Sequence, residues 1–172
     1  MAEAKKSSAM GLLLELARVA LVVTFLVAAY AKMKPQTAMP WSLASIKTSL
    51  SMFAMGVDSY QLLSPGAVNF VAHWLPPFEL FLALWLLSGK FLKLSSLVTT
   101  LLLGGFIAVQ IRSFSLHQEI SCGCFGPGER IGPVSLLRDA LFVALAIAVF
   151  VGALRSGPKR ADTDAVGAAT VA

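Results

Sequence analysis

The sequence predicts an all-α integral membrane protein, a four-helix bundle with an additional amphipathic interfacial helix between its first and second spans. Three observations predict it. Only 13% of the 172 residues are charged and 57% are hydrophobic, giving a mean hydropathy of +0.78, whereas a soluble domain carries about 25% charged residues. Four apolar segments reach the roughly 20 residues that a helix needs to cross the hydrocarbon core. No strand-like alternation competes with them, and backbone in lipid must satisfy its own hydrogen bonds, as a helix does.

The first span covers residues 11–31, GLLLELARVALVVTFLVAAYA. Lys5 and Lys6 precede it and Ala29-Tyr30-Ala31 imitates a signal-peptidase site. The apolar run is longer than the 7–15 residues typical of a signal h-region. It is also interrupted by Glu15 and Arg18 and followed by further spans, so an uncleaved helix is expected. Residues 1–10 are then a cytoplasmic N-terminus and residues 11–155 the membrane domain.

In the connection that follows, Leu43, Ile46, Leu50, Phe53 and Val57 recur at helical steps, with Ser45, Lys47, Thr48 and Ser49 on the other face. That pattern is an amphipathic helix, too polar to span, suited to the interface or to a lid over the bundle. Trp41 and Tyr60 bracket it, as aromatic side chains do at membrane–water boundaries. The second span covers residues 66–87, the third about 92–111 and the fourth about 134–154. Residues 156–172 are small and polar without apolar period, and disorder is expected there.

Lys5, Lys6, Lys90, Lys93, Arg155, Lys159 and Arg160 fall on one side, and Lys32, Lys34, Lys47, Arg112, Arg130 and Arg138 on the other. The bias is small, and the termini and the short loop decide for N-in and C-in. The basic residues sit singly between apolar runs. They read as membrane anchors, and lipid is the implied partner; nucleic acid is not, since that would need a clustered basic face.

Few groups can carry chemistry. Cys122 and Cys124, the only cysteines, stand in SCGCFGPG between the third and fourth spans, on the side where disulfides persist. One residue of separation makes a small, strained and therefore labile ring. Gly123 lets the backbone bend that tightly. A redox pair, a structural staple and a metal clip all remain readings, though zinc normally needs four ligands and only His117 is near. Arg138 and Lys32 border the same loop, and a neighbouring cation favours the reactive thiolate. In the second span, Pro76 and Pro77 remove helix hydrogen bonds and predict a kink. Glu79 follows them, and an intramembrane carboxylate is a functional or ion-paired group. Counting rise from the span ends puts Arg18 and Glu79 at matching depths of roughly 10 and 12 Å, so a network of Glu15, Arg18 and Glu79 is expected. A proton-linked transport role for Glu79 is the competing reading, although no inverted repeat is visible. His73 and His117 are not placed to share a haem. Gly104, Gly105, Thr99 and Thr100 read as helix-packing positions.

Ala31-Lys32-Met33, Leu75-Pro76-Pro77-Phe78-Glu79-Leu80, Cys122-Gly-Cys-Phe-Gly126 and Arg138-Asp139 together resemble the MauE-like membrane proteins of the broader DoxX-like group. The resemblance covers nearly the whole chain outside its termini, and CGCFG is its most specific string. The connection between the first two spans is longer than the family pattern leads one to expect. The resemblance implies a role in disulfide formation or transport during maturation of the disulfide-rich amine dehydrogenase small subunit of methylamine metabolism. The implied partners are that subunit, a thioredoxin-like protein or a respiratory complex. More distant relatives are linked to quinones, so a quinone is the candidate electron acceptor. Cycling of Cys122 and Cys124 is the reading the resemblance favours, and a non-enzymatic accessory subunit with a structural Cys-Gly-Cys disulfide is the alternative.

Overall fold

A computed structural model describes residues 2–35, 40–117, 120 and 131–155, with side chains from residue 10 onward. The described residues form five helices and no strand: α1 Ala2–Met33, α2 Leu43–Asp58, α3 Pro65–Ser88, α4 Leu92–Ser115 and α5 Pro133–Arg155. All but α2 are long and apolar enough to cross a membrane, over Met10–Met33, Pro65–Ser88, Leu92–Ser115 and Pro133–Arg155. The chain is therefore a multi-pass membrane protein. The spans match the expected ones to within a few residues, and α1 runs back well before its apolar part. The C-terminal tail, residues 156–172, expected to be disordered, lies outside the described residues, as do Cys122 and Cys124.

The helices start and stop where local chemistry dictates. Ser42 and Ser45 form a reciprocal capping box at α2, satisfying two orphan backbone donors. Pro65 and Pro133 open α3 and α5, where a missing N–H costs nothing. Gly89 ends α3 at φ 66°, a left-handed conformation that favours a residue without Cβ. α3 continues through Pro76 and Pro77 without interruption.

α1 packs along α3 and α4 along α5, with α1 also against α5. Between apolar helices in lipid no hydrophobic force drives association, so close packing of small side chains carries more of it. Ala17, Ala83 and Ala146 are buried accordingly, around Leu21, Phe25, Leu82 and Leu86, and Ala72 is buried with Ala54 and Val68. Ser95, Ser96 and Thr99 present the buried stripe of α4, and Thr99 donates its hydroxyl back to the carbonyl of Ser95. Large side chains such as Leu12, Leu101, Val134 and Leu141 stay exposed, as a lipid-facing surface requires. Thr99 thus packs as expected, but Gly104 and Gly105 do not: a Cβ added at either would meet nothing within 4 Å. α3 and α4, although consecutive, touch only briefly, and Gly105 faces the gap between them.

α2 leans on α3 and more lightly on α1. Leu43 is exposed while Ser45 and Ser49 are buried, so part of the face expected to be polar and outward faces inward. The reason lies in the hydroxyls. Ser45 completes the cap, and Ser49 Oγ donates to the carbonyl of Lys34 at 2.9 Å, tying α2 to the end of α1.

Candidate functional site

α1 and α3 run antiparallel, and two polar clamps join them at different heights. At one end Arg18 donates from Nε to the Leu86 carbonyl and from Nη2 to the Leu87 carbonyl, both at 2.7 Å. It also holds Glu15 through Nη1 at 2.9 Å. The last carbonyls of a helix lack intrahelical partners and carry the negative end of its dipole, so a guanidinium fork there satisfies both. Gly89 makes room, since a Cβ on it would lie 3.1 Å from Arg18 Nη2.

The second clamp corrects the expected network. Glu79 pairs not with Arg18 but with Lys32, whose Nζ donates to both carboxylate oxygens at 2.9 and 3.0 Å. Their side chains are 1% and 2% exposed. The physical reason is side-chain direction. Cα–Cβ bonds tilt toward the N-terminus of a helix. In antiparallel α1 and α3, Lys32 therefore leans inward from the end of α1 and Glu79 leans toward it. Arg18, on the same helix, also leans toward the start of α1, which carries it away from Glu79 to the α3–α4 turn. Matching backbone depths was not enough.

The ammonium of Lys32 also lies 5.5 Å from the ring centroid of Phe53, a cation–π arrangement that sets α2 over the pair. Behind it, Lys32, Glu79 and Asp139 all border one small cavity of about 30 Å³, with Thr24, Phe106 and Phe142. That is room for a water among polar groups. Asp139 Oδ2 accepts from Gln110 Nε2 at 2.7 Å and Oδ1 accepts from Arg138 Nε at 3.0 Å. The structure thus gathers Lys32, Glu79, Arg138 and Asp139 at the α2 end, and leaves Glu15 and Arg18 at the opposite one. Sequence reading overlooked Gln110. Its signal was an amide within an apolar span, and it is 1% exposed.

The loop bearing Cys122 and Cys124 lies outside the described residues, but its flanks do not. Ile131 donates its backbone N–H to the carbonyl of Ile120 at 3.1 Å, and Ile120 is buried. Ser135 Oγ accepts from the N–H of Gly132 at 2.9 Å. Ile120 and Ile131, on either side of the two cysteines in sequence, therefore form a closed neck.

Such an arrangement can hold charges in fixed positions within a low-dielectric bundle and admit a proton or a water to them. Its arginine–aspartate step and proline–glutamate helix are the features through which the sequence resembles its family. No curated protein and no solved structure matches the chain. The family model described as methylamine utilisation protein MauE does match, over residues 10–152, which takes in the first three spans, most of the fourth, both clamps and the stretch that holds the cysteines; the chain belongs to the MauE family.

Proposed function

We propose that this multi-pass protein, a member of the wider DoxX-like group, has a thiol–disulfide role at the periplasmic face of a bacterial inner membrane, with both termini cytoplasmic. The observation that carries it is the closed neck at Ile120 and Ile131, which brackets the chain's only two cysteines on the helices that supply Gln110, Arg138 and Asp139. In the disulfide form, a partner's thiolate attacks one sulfur of Cys122–Cys124, the other sulfur leaves as a thiolate and is protonated, and a mixed disulfide forms. The partner's second thiol then displaces the chain's remaining sulfur. Two electrons and two protons have passed to Cys122 and Cys124, and the partner leaves with its disulfide closed. Re-oxidation hands two electrons and two protons to an acceptor, for which a lipid-soluble quinone is the class. The partner is a disulfide-dense periplasmic protein such as the amine dehydrogenase small subunit, reached directly or through a thioredoxin-like protein.

A second reading has an observation of its own. The charges of Lys32, Glu79, Arg138 and Asp139 pair with one another, as in a scaffold, which favours an accessory subunit of a respiratory or maturation complex with a structural Cys-Gly-Cys staple.

Thiol labelling of membranes with a mass-tagged maleimide, before and after mild reduction, separates the two. The redox role expects a mixture of oxidised and reduced pair that shifts with partner expression, and loss of partner maturation in Cys122→Ser and Cys124→Ser. A pair that stays wholly reduced in oxidising medium, or partner maturation unaffected in both variants, refutes it.

A further inference from the structure

A larger cavity than the one at the ion pair opens where α3 and α4 part. Its volume is about 430 Å³, and Phe53 and Gly56 of α2, Tyr60 beyond it, Leu75 of α3, and Gly105 and Phe106 of α4 are among its walls. Among the described residues that line it none is charged, and Tyr60 carries the only side-chain hydroxyl. An apolar protein cavity of about 150 Å³ already takes up benzene, so this one has room for a ring with a chain, or for a folded chain alone. Two glycines face it from different helices, and a Cβ at Gly56 or Gly105 would meet nothing within 4 Å. A glycine inside a helix costs stability relative to alanine, and here neither is used for close helix packing. Both keep the space open.

We propose that this cavity binds one uncharged lipid, entering sideways from the bilayer between α3 and α4. Two features decide for an uncharged molecule. The walls offer a phosphate or carboxylate no cation, and burying an unpaired charge among apolar side chains is prohibitive. α2 and the residues that follow it, Tyr60, Leu62 and Leu63, cover the cavity at its α2 end, where a phospholipid head group would have to project. The inference is independent of the cysteines. It nevertheless touches the charge cluster, because Phe106 walls both cavities and the Phe53 ring meets the Lys32 ammonium. An occupant pressing on those two rings would touch side chains that also border Lys32 and its cavity.

The test uses the full chain, purified in detergent and stripped of lipid, with native mass spectrometry as the readout. It is incubated separately with decylubiquinone, with dioctanoylglycerol and with phosphatidylglycerol. Retention of one decylubiquinone or one dioctanoylglycerol per chain is expected. Which of them is held more tightly distinguishes a ring-headed lipid from a glyceride, and both are uncharged. Gly105→Leu fills the cavity from α4 and Gly56→Leu fills it from α2, and each should weaken retention at least tenfold. Leu141→Ala, on an exposed face of α5, should leave it unchanged. Because the two filling variants act on different helices, failure of one to fold leaves the other to decide. Retention of phosphatidylglycerol alone, or unchanged binding in a folded filling variant, overturns the proposal.

Discussion

Lys32→Met removes the cation from a carboxylate that is 2% exposed while keeping much of the side-chain volume. With Nζ at 2.9 and 3.0 Å from the two oxygens, the direct attraction is about 5 kcal/mol at an effective dielectric of about 20. Desolvation offsets much of this in the intact pair, but deleting one partner strands the other, at a typical cost of about 3–5 kcal/mol. Lys32→Met and Glu79→Leu should therefore each destabilise the fold by roughly 3 kcal/mol or more, from the penalty of a stranded charge. The double variant has no charge left to strand. It should recover most of the loss, so that the two effects couple by at least about 2 kcal/mol. Equilibrium unfolding in mixed micelles titrated with SDS, followed by helix content, gives all four corners of the cycle. Additive losses, or a Lys32→Met variant as stable as the parent, would refute the buried pair.

The other clamps make predictions of the same kind. Arg18→Gln loses the forked contact with the Leu86 and Leu87 carbonyls, and the same unfolding titration should register about 2 kcal/mol, in the range for bonds to a charged group. Gly89→Ala forces a Cβ into a residue at φ 66° and to 3.1 Å from Arg18 Nη2, costing roughly 1–2 kcal/mol for the left-handed backbone; in Arg18→Gln the added cost should shrink to the backbone part. Gln110→Leu withdraws a 2.7 Å donor from buried Asp139 and should cost about 1–3 kcal/mol, with Gln110→Glu worse because it places two carboxylates together. An impermeant maleimide should label Cys122 and Cys124 in spheroplasts after reduction, and labelling only in inverted vesicles would reverse the proposed orientation.

Much of the fold was legible because its signals are long. A span needs about 20 apolar residues, and four such runs cannot be hidden in 172 residues. The helix between the first two was legible from the spacing of Ile46, Leu50, Phe53 and Val57. Its inward face was not, because Ser45 and Ser49 bury their hydroxyls by bonding to backbone carbonyls, an option that hydrophobicity alone does not count. The glycines of α4 misled for a related reason. Small residues usually mark helix contacts in membranes, and the same composition serves equally to leave a gap.

The partner of Glu79 exposes a sharper limit, and it bears on the cysteines. Depth along a helix follows from residue number, but a lysine side chain reaches several ångströms beyond its own Cα, and its direction is set by the sense of the helix. Lys32 thus serves a carboxylate well below it. Lys32 and Arg138, the cations expected beside a thiolate, each face a carboxylate within 3.0 Å. A thiolate is favoured by net positive potential, which a cation already paired with a carboxylate supplies less strongly. In the redox reading, then, the cluster acts chiefly by fixing the helices that present the pair. Under that reading Lys32→Met/Glu79→Leu restores the fold and leaves the alkylation rate of the reduced pair within about twofold of the parent, because a balanced pair contributes little field at a distance. A tenfold fall would return Lys32 to the thiolate.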